Sequence, residues 1–337
     1  MTEQSLKFLI VRLGSLGDII HAIPAAAALR ARYPRARIDW LVDPRYSSVL
    51  QLVEGLDAAI PLDPRAGVRT LLRTIARVRR TKYDAAVDLQ GLLKSAVLTR
   101  AAGARRVIGL PREHLREPLS RIFYGDTPDP GRDPHVIRKN LMLMQALGVE
   151  DLRITFPLTI PRTVTADTMV TRFGPAGFVL INPGAAWPNK RWPPQRFGAL
   201  AGEIHDRLGV RTLVLWGPGE EEIASIVVSA SRGSAELAPR TSIVDLFAIA
   251  SCARLLISGD TGPLHIAAAV GTPVVALFGP TFTERNGPWS TADIAISRAS
   301  QCSCHYERKC RFSQPCIEGI SVDEVIAATE RRVAARG

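Results

Sequence analysis

Short apolar runs recur along the chain, each followed by a stretch with helical spacing or by a turn. Residues 7–13 (KFLIVRL), 37–42 (RIDWLV), 84–89 (DAAVDL) and 106–110 (RVIGL) read as buried strands. The rhythm restarts at 177–182 (GFVLIN), 211–216 (RTLVLW), 254–258 (RLLIS) and 273–278 (PVVALF). Such alternation predicts an α/β protein with parallel sheets covered by helices. Between the two series, 149–167 (VEDLRITFPLTIPRTVTAD) holds two prolines and no helical period, so it reads as a linker. Two α/β domains are therefore expected, over 1–160 and 161–321, with no sequence repeat between them. Ser321 and Glu324 form a capping-box pattern ahead of a terminal helix over 322–336.

Composition narrows the class. With 337 residues, 46% of them hydrophobic, the chain can bury a substantial core, and its length suits two domains. Glycines, prolines and charges interrupt every long apolar stretch, so neither a membrane span nor a signal peptide is read. Five cysteines, four of them between 302 and 316, do not resemble the disulfide framework of a small secreted domain. A cytoplasmic location is expected. The cluster Cys302, Cys304, Cys310, Cys316 with His305 lacks the paired C-x2-C knuckles of a zinc site, and no metal is assigned to it.

The net charge of +11 is unevenly divided. Residues 1–150 hold 24 Lys and Arg against 15 Asp and Glu, whereas the remainder holds 19 against 17. The densest patch is Arg65, Arg69, Arg73, Arg77, Arg79, Arg80 and Lys82, with no acid between 64 and 83. The first four are spaced i, i+4 along one helical face, where like charges repel. Such a stripe is either a solvated face or a contact for a phosphate-rich or membrane-surface partner.

In parallel α/β sheets ligands bind at the carboxyl ends of the strands, where loops feed helix N-termini. After the first strand comes GSLGD, 14–18, in which Gly14 and Gly17 permit a tight turn and close approach, and Asp18 begins the helix as an N-cap. The stretch lacks the G-x-G-x-x-G fingerprint, which removes the main support for a nicotinamide oxidoreductase. A nucleic-acid-binding protein is disfavoured too, because no aromatics interleave the basic stripe. In the second half, INPGAAWPNKRWP (181–193) presents Lys190 and Arg191 between two tryptophans, and LWGPGEEE (215–222) pairs a glycine-rich turn with three acids. The stretch 258–281 runs strand, turn, helix N-terminus, strand. N–H groups at Thr261 to Leu264, with Lys190 opposite, suit a diphosphate, and an acid beside them suits a ribose.

Five stretches in this order, LIVRLGSLGDIIHAIPA, YDAAVDLQGLLKSA, REPLSRIFY, NPGAAWPNKRWP and SGDTGPLHIAAAVGTPVVALFGPT, resemble glycosyltransferase family 9, the lipopolysaccharide heptosyltransferases, over nearly the whole chain. The resemblance implies a GT-B fold: two Rossmann-like domains facing each other across a cleft, with the segment 322–337 crossing back to the first. It implies an inverting transfer from ADP-L-glycero-β-D-manno-heptose, bound by the second domain, to an anionic glycolipid held by the first, the Kdo of Kdo2-lipid A. No cofactor or metal is implied, and the enzyme is expected to work peripherally at the inner face of the cytoplasmic membrane.

By this resemblance Asp18 is the general base for the acceptor hydroxyl. A helix N-terminus stabilises the ionised carboxylate and so weakens it as a base. Lys190 resembles the diphosphate-binding lysine and Glu221 the ribose ligand, with Glu220 and Glu222 adjacent. Asp260, Thr261, Gly262 and His265 match the donor-binding D-T-G-x-x-H segment, although spacing alone would make His265 a helix-face histidine. Trp187 and Trp192 read as packing. Ala185 and Ala186 stand where relatives often carry hydroxyls, so phosphate contacts there would come from the backbone. On the acceptor side Gly17, Lys94, Arg116, Arg69 and Arg73 are the candidates. DLQGLLKSA and REPLSRIFY resemble enzymes adding the first heptose, whereas NPGAAWPNKRWP and the cysteine loop resemble second-heptose relatives; the first domain favours the former.

Overall fold

The computed structural model describes residues 6–63, 65–133 and 135–335. The chain divides into two compact units, Met1–Thr159 and Ile160–Gly337. In the first, β1 (Lys7–Val11), β2 (Arg37–Val42), β3 (Ala58–Pro61), β4 (Ala85–Asp88) and β5 (Arg106–Ile108) form one sheet in the order β3-β2-β1-β4-β5. Every pairing is parallel, with Val11 opposite both Leu41 and Asp88. The winding therefore reverses between β1 and β4, and their carboxyl ends flank the crevice that such a reversal opens.

The second unit repeats this winding with six strands. β6 (Phe178–Asn182), β7 (Arg211–Val214), β8 (Ala235–Leu237), β9 (Leu255–Gly259), β10 (Val274–Phe278) and β11 (Ile294–Ser297) lie in the order β11-β10-β9-β6-β7-β8, all parallel. Here the reversal falls between β6 and β9. Both central strands are buried along their length, as a sheet covered on both faces requires.

All eight strands expected from sequence are present. Three more, β3, β8 and β11, were not expected, and each lies at a sheet edge. An edge strand of three or four residues has one neighbour and needs no continuous apolar run, so AAIP, AEL and IAIS carry little signal.

The helix Val322–Ala334 begins with the anticipated capping box. Glu324 N–H donates to Ser321 Oγ at 3.1 Å, and Ser321 N–H donates to Glu324 Oε2 at 2.8 Å. The resemblance implied that this segment crosses to the first domain. Its apolar face, Val325, Ile326 and Ala328, is buried with Leu200 and Ile204 in the core of the second unit, and Arg332 Nε donates to Asp293 Oδ1 at 2.8 Å. Residues 336 and 337 of the anticipated helix lie outside the described residues.

Candidate functional site

Loops 12–15 and 89–92 leave the carboxyl ends of β1 and β4. Arg12, the residue after β1, is buried; its guanidinium donates to the Leu89 carbonyl and pairs with Asp18, Nη2 to Oδ1 at 2.6 Å. Leu13 N–H donates to Gln90 Oε1 at 2.9 Å, so the two loops are tied twice. Ser15, rather than Asp18, is the N-cap of helix Leu16–Arg32. Asp18 is the third helical residue, and its Oδ2 accepts from Ser15 N–H at 3.1 Å and Ser15 Oγ at 2.9 Å. It is the acidic half of a capping box, half-buried beside Arg12. Gly14 lies against the Tyr46 ring, which a Cβ would approach to 2.9 Å. Gly17 is the buried second residue of the helix.

Beneath these loops Asp88 is fully buried at the end of β4. It accepts from the N–H groups of Gln90 (2.8 Å) and Gly91 (3.1 Å), from Ser95 Oγ (2.8 Å) and from Tyr124 Oη (2.7 Å). Burial pushes its carboxyl above the ordinary carboxylate range, with those hydrogen bonds opposing. The sequence reading passed over Asp88; an acid inside the apolar run DAAVDL was the available signal. Nearby, Leu93 N–H donates to Glu117 Oε2 at 2.7 Å. Lys94 and Arg116, each adjacent to one partner of that bond, are thereby brought to one junction, both exposed. Arg69 and Arg73 are exposed on helix Val68–Arg80 with Arg77. Arg65 is not on the helix: it sits in the turn before it, where its N–H donates to Asp63 Oδ1 at 2.8 Å, so the helical stripe has three members.

In the second unit the loops after β6 and β9 meet at Asp260. This buried carboxylate receives Lys190 Nζ (2.5 Å) and Thr281 Oγ1 (2.8 Å) on Oδ2, and Asn286 Nδ2 (2.5 Å) on Oδ1, with His265 Nε2 at 3.5 Å from Oδ1. Burial alone would raise its pKa, but hydrogen bonding from His265 and the charge of Lys190 outweigh it and hold the group well below the ordinary range. The Lys190 ammonium also lies 4.6 Å from the centre of the Trp187 ring, a cation–π contact that gives this tryptophan a part beyond packing. Trp192 is core, with Nε1 donating to the Ile320 carbonyl at 2.9 Å.

Asn182, at the end of β6, donates to Gly184 O at 3.1 Å and to Ser258 Oγ and Thr261 Oγ1, both at 3.0 Å, which locks the two loops together. Thr261 caps helix Gly262–Ala269 by its backbone. Pro263 has no N–H, so of the four residues expected to supply donors only Thr261, Gly262 and Leu264 can do so. His265, buried on that helix, adds its ring contact to Asp260. Ala185 is buried, its carbonyl taken by Arg191 Nε at 2.8 Å.

Glu221 is the exposed first residue of helix Glu221–Ala230. Its neighbour Glu220 turns into the loops: Oε2 accepts from Gly217 N–H at 3.0 Å and would lie 2.1 Å from a Cβ at Gly184. The sequence reading named Glu220 only as an adjacent acid. It also missed Arg12, Asn182, Thr281 and Asn286, whose partners are all distant in sequence or across a turn.

The cysteines of 302–316 are free thiols. Cys304 and Cys310 place their sulfurs 3.8 Å apart, and burial pushes the Cys316 thiol up to about 12. His305 stacks on Phe282 at 4.6 Å. Among the described residues no group of three or more His, Cys, Asp or Glu is arranged to hold a metal ion.

Thus one unit presents a positioned carboxylate between strand ends, and the other presents an ammonium and a helix N-terminus suited to an anion. Residues 71–315 match the profile of Glycosyltransferase family 9 (heptosyltransferase). Lipopolysaccharide heptosyltransferase 1 of Pseudomonas aeruginosa is 28% identical over 317 residues, covering 91% of this chain and 88% of that protein. Among solved structures, a family 9 glycosyl transferase from Veillonella parvula superposes with TM-score 0.85 at 23% identity over 99% of both chains. The E. coli heptosyltransferase WaaC with ADP superposes with TM-score 0.77 at 23% identity, over 97% of this chain and 100% of that one. The two parallel sheets and these likenesses give the GT-B fold.

Proposed function

Because this chain belongs to glycosyltransferase family 9, the heptosyltransferases, we propose that it transfers heptose from ADP-L-glycero-β-D-manno-heptose to the Kdo of Kdo2-lipid A, the first heptose of the lipopolysaccharide inner core. At the coarser level it is a heptosyltransferase of lipopolysaccharide core biosynthesis. The observation carrying the donor side is the Lys190–Asp260 pair beside the N-terminus of helix Gly262–Ala269. In this reading Lys190, held by Asp260 and Trp187, stabilises the charge that develops on departing ADP, with the backbone N–H groups of Thr261, Gly262 and Leu264. No metal ion takes part. Asp18, oriented by Arg12 and Ser15, removes the proton of the acceptor hydroxyl as its oxygen attacks the anomeric carbon with inversion. Lys94 and Arg116 receive the acidic acceptor, with Gly17 leaving room beside the base. Glu221 takes the ribose.

First-heptose transfer is supported by DLQGLLKSA and REPLSRIFY, the acceptor-side segments that Glu117 and Asp88 tie together. The second reading, transfer of the second heptose, is favoured by NPGAAWPNKRWP on the donor side. The acceptor carries phosphates and Kdo carboxylates on a lipid, so the enzyme would act at the inner face of the cytoplasmic membrane; among the described residues no helix is long and apolar enough to cross it. Mass spectrometry of reactions with ADP-heptose decides between the readings. Product from Kdo2-lipid A, and none from acceptor already bearing one heptose, is expected. The reverse preference overturns the first-heptose assignment, and absence of product with every heptose acceptor overturns the transferase reading.

A further inference from the structure

Helix Val68–Arg80 presents three strips. At about 100° per residue, Leu71, Ile75 and Val78 share the side packed into the first unit's core. The next strip carries Val68 and Leu72, which are 70% and 58% exposed, and the strip beyond carries Arg69, Arg73 and Arg77. Two large aliphatic side chains thus stand in solvent between a core and a row of cations, in a segment with no acid from 64 to 83. The neighbouring elements continue the pattern. This helix touches helix Leu93–Ala101, which packs on the turn Pro118–Phe123; they expose Leu93 and Val97, and Leu119 and Ile122. Of the twelve large hydrophobic residues exposed among the described residues, these three adjoining elements carry six. A monomer seldom leaves so much apolar surface uncovered without a partner.

We propose that helix Val68–Arg80 is an in-plane membrane anchor, with Val68 and Leu72 entering the acyl boundary of an anionic bilayer and Arg69, Arg73 and Arg77 on its phosphates. The proposal rests on the lipid-linked acceptor argued above and names the surface that meets its membrane. Charge complementarity selects a bilayer over a protein: the apolar strip lies between the unit's core and a row of cations, with no acid on the helix, as in helices that lie in a headgroup layer. A partner protein would have to supply acids along the whole row.

The test uses full-length protein and vesicles of phosphatidylcholine with or without phosphatidylglycerol. Leu72→Trp should show a blue-shifted emission, quenched by brominated acyl chains, only when phosphatidylglycerol is present. The double variant Val68→Ser, Leu72→Ser should bind those vesicles roughly tenfold or more weakly, while transfer to an acceptor stripped of its acyl chains stays at the wild-type rate. Vesicle binding unchanged in the double variant overturns the proposal, as does emission of the Leu72→Trp indole that brominated chains leave unquenched on bound protein. So does conversion of a wild-type dimer to monomer by the serine substitutions, because the strip is then a protein interface. If wild type binds vesicles as described but transfers no heptose, the docking surface stands and the proposed activity fails.

Discussion

Arg12 Nη2 stands 2.6 Å from Asp18 Oδ1, and the same guanidinium donates to the carbonyl of Leu89. One side chain therefore ties the acid after β1 to the end of β4, across the point where the sheet reverses its winding. Ser15 fixes the other oxygen of Asp18. Replacing Asp18 with Asn should lower turnover by about 100-fold or more, with ADP affinity within a few-fold of wild type. Ser15→Ala removes the hydroxyl bond to Asp18 Oδ2 but leaves the Ser15 N–H and Arg12 on that carboxylate, so it should cost about 1 kcal/mol of stability with turnover largely kept. Asp18→Asn protein that turns over normally once corrected for its folded fraction would reduce Asp18 to a capping residue.

Lys190→Ala should weaken ADP binding by about 1.5 to 3 kcal/mol, the loss of a charge-assisted contact, and slow transfer with it. It also strands the buried Asp260, at a cost of about 3 to 5 kcal/mol in stability. Adding Asp260→Asn should recover much of that stability without recovering ADP affinity. Calorimetry and thermal melts separate the two effects, and unchanged ADP affinity in the single variant removes Lys190 from the donor site.

Glu220 holds the Gly217 N–H in the loop, and the exposed Glu221 is the proposed ribose ligand. Glu221→Gln should weaken ADP about tenfold or more, yet leave binding of ADP lacking both ribose hydroxyls unchanged, since a carboxylate–hydroxyl bond contributes about 1.5 to 3 kcal/mol. Glu220→Gln should chiefly lower the melting temperature, because it loosens the hold on Gly217 N–H. If the ribose-dependent loss appears in Glu220→Gln, the ligand is Glu220.

Arg69→Gln, Arg73→Gln and Arg77→Gln together should raise the KM for the lipid acceptor at low salt. At about 1 kcal/mol per basic residue near an anionic surface, the rise reaches up to roughly 100-fold. Donor KM and thermal stability should stay near wild type, because all three side chains are exposed. The defect should shrink as salt screens the wild-type attraction over about 8 to 10 Å. A variant with wild-type acceptor KM at low salt makes the stripe a solvated face and leaves Lys94 and Arg116 to hold the acceptor.

Acid should loosen the surroundings of Asp260 before those of Asp88. The Asp260 carboxyl is held below its ordinary value of 3.8, so the stability it contributes is present above that pH and is lost as pH falls towards the lower folded-state value. Asp88 has the opposite sign: its carboxyl is raised, so its contribution favours the fold at low pH and declines as pH rises past the ordinary value. Hydrogen exchange between pH 5 and about 3 should therefore show protection lost around β9 and helix Gly262–Ala269 before β4, and Asp260→Asn should flatten that loss. Equal loss at β9 and β4 would refute this assignment.

The alternation of apolar runs determined by itself that there would be two parallel sheets, and that GSLGD, NPGAAWPNK and DTG would follow strands. It could do so because burial on both faces is written in consecutive residues, and a strand's end follows from its run. Three of the four edge strands, β3, β8 and β11, escaped that logic, since each exists only through one neighbour, whereas β5 carries a short apolar run of its own. Local spacing found the acids but not their roles. Whether Ser15 or Asp18 caps a helix, or Glu220 or Glu221 turns inward, depends on a backbone position where one residue shifts the side chain by about 100°. Asp260 illustrates what tertiary structure alone decided: its partners come from positions 190, 265, 281 and 286. Strand order sets β9 beside β6 and β10, so the loops after those strands converge, and a carboxylate buried there is stable only where that convergence delivers enough donors to replace water.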